Sequence, residues 1–111
     1  RNDPNDNVYD AVARALSDMT DATGSRLKVL RLPSPGFIGD DDERPVPASH
    51  MNFLIANGAV IVPTYGDARA ADLVCQGLKT VFPDREIIPL PSIAILSGGG
   101  SFHCISQQEP A

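Results

Sequence analysis

A chain of 111 residues with 42% hydrophobic content has room for one compact domain and not for two. Its net charge of -5 and its pI near 4.7, with nine basic residues scattered rather than clustered, argue against a nucleic-acid partner. No stretch approaches the roughly 18 apolar residues that span a bilayer, which argues against a membrane partner, and the first residues lack the apolar core of a signal peptide.

Taken in chain order, Val8, Val12, Ala15, Leu16 and Met19 recur at three-to-four spacing, which predicts an amphipathic helix over residues 6–23. Asn5 or Asp6 would cap it and Gly24 would stop it. The aliphatic run at residues 27–32, closed by Pro33 and Pro35, predicts a buried strand. Residues 33–47 hold four prolines, two glycines and the acidic run Asp40-Asp41-Asp42-Glu43, the composition of a long, mobile surface loop.

Two apolar runs, residues 52–56 and 59–63, are separated only by Asn57-Gly58, a pair suited to the positive φ angles of a type I′ hairpin. Asp67 then predicts the N-cap of a second helix, with Ala71, Val74 or Cys75, Leu78 and Val81 on one face and Phe82-Pro83-Asp84 ending it. A strand is expected at residues 86–90, followed by Ile93-Ala94-Ile95-Leu96, a glycine loop and a last strand over residues 102–106. Residues 27–34 resemble residues 85–92 at a fixed offset, each preceded by an amphipathic helix, which hints at a repeated unit of strand, strand, helix and strand.

Cys75 and Cys104 lack the CxxC spacing of a zinc or dithiol site, which points to a reducing, cytoplasmic compartment. Cys104 follows Gly98-Gly99-Gly100 closely. Glycine lets backbone approach a ligand, which makes Gly99 and Gly100 candidate substrate-binding positions and puts the thiol within a substrate's reach. On the residues alone, the commoner fate of a lone cysteine, a buried strand thiol, outweighs a nucleophile. His103 would point to the opposite face of a strand from Cys104 and so is a poor base for it. His50 reads as a surface or hydrogen-bonded histidine, Cys75 as a helix core residue, and the acidic run as a solvated loop rather than a metal site.

Three stretches change that weighting: Pro47-Ala48-Ser49-His50-Met51-Asn52-Phe53-Leu54-Ile55-Ala56-Asn57-Gly58-Ala59-Val60-Ile61-Val62-Pro63, Phe82-Pro83-Asp84-Arg85-Glu86, and Gly98-Gly99-Gly100-Ser101-Phe102-His103-Cys104-Ile105-Ser106-Gln107-Gln108-Glu109-Pro110. In content and order they resemble the C-terminal third of agmatine deiminases and the related bacterial peptidylarginine deiminases. The resemblance extends more loosely to the N-terminal helix. It implies a pentein α/β propeller of ββαβ repeats, of which residues 1–111 would supply roughly the last two units as the C-terminal part of one catalytic domain. It also implies that Cys104 attacks the guanidinium carbon of agmatine, a small cationic substrate, with no metal or organic cofactor, giving N-carbamoylputrescine and ammonia. The family's general-base His and its Asp lie in a His-x-Asp motif upstream of the matched region, so this chain holds only the nucleophile. The family often has Asn where Ser101 stands and Tyr where His50 stands, which puts loop packing and substrate fit in question.

Two alternatives stay open. One is a deiminase of the same fold acting on peptidyl or free arginine; the other is a non-catalytic remnant or binding domain, favoured by the absence of a visible base. The start at Arg1 and the end soon after Cys104 suggest a processed chain or a fragment. The exposed strand edges of such a piece predict poor stability or self-association, homo-oligomers included.

Overall fold

The computed structural model describes residues 3–40 and 44–110, with three helices and one three-stranded sheet among them. Helix α1 spans Asp6–Asp18, begins at Asn5 and stops a full turn before the expected end. What replaces that last turn is a tight loop. The Asp21 carboxylate accepts from the backbone N–H of Thr23 (2.8 Å) and of Ser25 (3.0 Å), while Gly24 turns the chain at φ 83°. Asp and Thr side chains compete with the helical ladder for backbone groups, and here the side chain wins.

The run at residues 27–32 is not a strand: it has no ladder partner among the described residues. Its side chains instead lie on a helix. A Cβ placed on Gly77 would come within 2.9 Å of Leu32 Cδ2 and 3.8 Å of Leu30 Cδ1, so the segment crosses at the glycine and docks through leucines rather than through backbone. In the loop that follows, Asp40 pairs with Arg44 at 2.8 Å, whereas residues 41–43 of the acidic run lie outside the described residues.

The hairpin forms, with β1 (Leu54–Ile55) antiparallel to β2 (Ala59–Thr64) and Leu54 opposite Ile61. Its turn is not type I′, because Gly58 stays out of the positive-φ region. Neighbours take the turn's carbonyls: Arg85 Nε donates to Ala56 O (3.1 Å) and Glu86 N–H to Gly58 O (3.0 Å). Helix α2 (Ala68–Val81) then connects β2 to β3 (Glu86–Pro91), which runs parallel to β2, so the sheet order is β1-β2-β3. Pro63 is fully buried in the middle strand, yet it sits beyond the two-residue reach of β1, where a missing N–H breaks no β1 ladder bond; Pro89 and Pro91 lie on the outer strand.

Val60 and Val62 of β2 meet Val74 and Leu78 of α2 in the core, with Leu32, Phe53, Phe82 and Ile87 packed around them. Asp67 caps α2 as expected, accepting from Ala70 N–H at 3.0 Å. The buried face of α2 is Ala70, Val74 and Leu78; Val81 is exposed and Cys75 half-buried. After β3 the chain makes a single helical turn, α3 (Ile93–Leu96), anchored by buried Leu96. The expected strand at residues 102–106 is a turn instead, with Ile105 N–H bonded to Ser101 O (3.2 Å) and Ser106 N–H to His103 O (3.2 Å). Of the two similar segments, only the second is therefore a strand. The architecture is α/β with a small mixed sheet, and no helix among the described residues is long and apolar enough to cross a membrane.

Candidate active site

The loop bearing Cys104 starts where α3 ends. Gly98 N–H and Gly99 N–H bond back to Ile95 O (3.0 Å) and Leu96 O (2.8 Å), and Gly99 then reverses the chain at φ 87°. Gly100 is buried against the cysteine, where a Cβ would fall 2.7 Å from Cys104 Cβ and 2.9 Å from its Sγ. Ser101 is fully buried and its hydroxyl bonds that of Ser92, the equally buried residue just after β3. The loop is thus tied to the sheet through a serine pair, which is the use this chain makes of Ser101.

Cys104 itself is exposed, contrary to the buried strand thiol that its residue type suggested, because the backbone folds into a turn rather than entering a sheet. Asn52 Nδ2 donates to its sulfur at 2.9 Å. Backbone hydrogen bonding at Ser101 and then the Asn52 amide hold the thiol below its ordinary pKa of 9.0, against a small opposing effect of burial. Such a thiol has more thiolate near neutral pH than a free cysteine. In Cys75 burial and then the nearby Asp72 push the other way, raising its pKa and making it the less reactive of the two.

Gly99 and Gly100, both expected beside substrate, serve the Cys104 loop differently. Gly99 is exposed and supplies the left-handed turn; Gly100 supplies the space for Cys104. His103 is exposed in the same turn, so the strand alternation that would have set it opposite Cys104 does not exist. His50 is 3% exposed and hydrogen-bonded, as one of its two expected roles had it. Its Nδ1 donates to Pro33 O at 2.9 Å, a carbonyl being only an acceptor, and its ring lies 5.4 Å from that of Tyr65.

Asn52 escaped the sequence reading, which placed it in the first hairpin strand. β1 begins only at Leu54, and Asn52 turns its side chain to a loop 52 positions downstream, a contact with no local signature. Beside it, Ser49, Met51, Asn52 and His103 line a shallow depression of about 300 Å³. A larger groove, about 1000 Å³ between α1, residues 29–36 and the start of α2, includes none of Gly99, Gly100 or Cys104. Two of its acids are engaged, Asp10 with Arg31 at 2.5 Å and Asp3 with the Ser34 hydroxyl. No three His, Cys, Asp or Glu side chains among the described residues converge as ligands for a metal.

The sequence model for the Porphyromonas-type peptidyl-arginine deiminase family matches residues 1–110. The chain is 35% identical over 128 aligned positions to an agmatine deiminase of Ectopseudomonas mendocina and 35% identical to one of Pseudomonas aeruginosa, in each case across all of this chain and 34% of the relative. The solved agmatine deiminase of Enterococcus faecalis superposes with a TM-score of 0.87 at 33% identity, over 99% of this chain and 34% of that one. The chain therefore spans about a third of the length of the curated relatives it matches. A glycine-lined, hydrogen-bonded cysteine on an α/β unit shared with these deiminases leaves one family reading: the chain belongs to the Porphyromonas-type peptidyl-arginine deiminases.

Proposed function

We propose that this chain is the nucleophile-bearing C-terminal part of an agmatine deiminase, which converts agmatine and water to N-carbamoylputrescine and ammonia. The observation that carries this is the exposed Cys104 thiol, held by Asn52 at 2.9 Å with its pKa lowered, in a chain similar throughout to agmatine deiminases. The Cys104 thiolate adds to the guanidinium carbon, a C–N bond breaks, and the departing nitrogen leaves as ammonia after taking a proton. Water then adds to the S-linked thiouronium, the C–S bond breaks and the thiolate returns. Splitting one substitution on a resonance-stabilised carbon into two steps is what a sulfur nucleophile contributes.

The family resemblance puts the general-base His and its Asp in a His-x-Asp motif upstream of the matched region, and the further acids that hold the guanidinium in the family's N-terminal part. In this reading the β1-β2-α2-β3 unit is one blade of a pentein propeller, and the segment at residues 27–32, which joins no sheet among the described residues, is the last strand of the blade before it. The two free cysteines fit a cytoplasmic setting.

The test is ammonia release from agmatine by the intact natural protein. Cys104→Ala is expected to lower kcat by about three orders of magnitude or more, and turnover that survives the substitution overturns the proposal. The family's own description favours a second reading, deimination of peptidyl arginine. Turnover of a peptide ending in arginine above that of agmatine would select it.

A further inference from the structure

We infer that Asn52 is the positioning residue of the Cys104 thiol, with one side-chain amide gripping both the sulfur and the backbone that carries it. The inference rests on the reading of Cys104 as nucleophile and adds the residue that sets its direction. Asn52 Oδ1 accepts from His103 N–H at 2.9 Å and from Cys104 N–H at 3.2 Å, while Nδ2 donates to Sγ at 2.9 Å. The orientation of the amide is dictated by these partners: two backbone donors require an acceptor, which leaves the NH₂ for the sulfur. The Asn52 main-chain carbonyl also accepts from His103 N–H, at 3.3 Å.

No other side chain of this length meets these demands. Asp would present a second acceptor to the sulfur, Ser would offer a single atom, and Gln would overshoot by a methylene. The clamp is fixed to buried structure: Asn52 N–H bonds Ser49 O (3.1 Å), the same carbonyl takes the Tyr65 hydroxyl (3.0 Å), and neighbouring His50 is locked on Pro33. On the other side Gly100 walls in the cysteine. The sulfur, held on these two sides, remains exposed to solvent.

A neutral donor suits a nucleophile that must give up its charge. The amide favours thiolate over thiol before attack, loses little when the C–S bond forms, and receives the thiolate again when that bond breaks. The experiment is the pH dependence of Cys104 alkylation by iodoacetamide in the intact natural protein, read by peptide mapping so that Cys75 is scored apart. The native inflection is expected below that of the urea-unfolded protein. Asn52→Asp keeps the acceptor for both N–H groups but puts negative charge beside the sulfur, and should move the inflection up by about one pH unit or more. The acid limb of kcat/KM should move with it.

A native inflection equal to or above the unfolded one overturns the inference without any variant. So does an Asn52→Asp protein with a native circular dichroism spectrum and an unmoved inflection. Agmatine turnover is a separate axis: activity that survives Cys104→Ala sinks the proposed function, and a titration indifferent to Asn52 sinks the inference, so the two fail independently.

Discussion

Neighbouring glycines in the Cys104 loop are required for different reasons. Gly99 needs its left-handed φ of 87° but has open space around it, whereas Gly100 is needed because a Cβ would strike Cys104 at 2.7 Å. Gly99→Ala should therefore cost about 1–2 kcal/mol of backbone strain and leave the thiol where it is. Gly100→Ala should cost about 1–3 kcal/mol by overpacking and also displace the turn at residues 102–105. Urea midpoints measure both costs, and the iodoacetamide rate of Cys104 separates them, changing only for Gly100→Ala. The triple glycine was visible in the sequence as a place of close approach. Which glycine bends the chain and which makes room depends on where Cys104 lands, and that in turn depends on Asn52.

Among the elements, α2 keeps its expected N-cap and the Val74 and Leu78 part of its expected face but not Val81, and α1 forms but ends early, at Asp18. The parts of α2 that were foretold are local ones. Its N-cap Asp67 and its buried Val74 and Leu78 are local features, visible as a capping residue and a 3.6-residue period. Asp67→Ala should lower stability by about 1 kcal/mol, and Leu78→Ala, which empties a site 2% exposed, by about 2–5 kcal/mol; thermal unfolding would rank the two. The loop after α1 adds a pH dependence. Its Asp21 carboxylate is held below the ordinary 3.8 by the Thr23 hydroxyl first and by backbone N–H groups of Ser25 and Thr23 next. Because the folded pKa is the lower one, this loop's contribution is present above pH 3.8 and is lost as pH falls through the folded value. In acid titrations followed by circular dichroism, Asp21→Asn should flatten the stability loss below that pH. An unchanged acid limb would mean the carboxylate does not hold the loop.

At the scale of the molecule, much apolar surface has no cover. Val8 and Val12 on the apolar stripe of α1, and Met19 at its C-cap, are each at least half exposed, and α1 buries no residue fully. Ile55, Leu90 and Ile93 are exposed around the sheet and the turn after it. The chain spans about a third of the length of its curated relatives, and exposed apolar surface of this extent favours association. A preparation of these 111 residues is expected to self-associate, with a sedimentation coefficient that rises with concentration and falls again in Val8→Lys, Val12→Lys double variants; a monomer at every concentration would contradict this. The α/β class, the hairpin, the second helix, the third strand and the family motif were all readable before folding, because each depends on residues close together in sequence. The type I′ turn, the strand at residues 27–32 and the strand at residues 102–106 were misread for one reason: whether a segment pairs, packs or turns depends on which distant neighbour meets its backbone or its side chains. Arg85 and Glu86 take the hairpin carbonyls, Gly77 receives the leucines of residues 27–32, and Asn52 takes the N–H groups around Cys104. These are contacts across 28 to 52 positions, set by three-dimensional proximity, and they turned a strand-like cysteine into an exposed, hydrogen-bonded thiol.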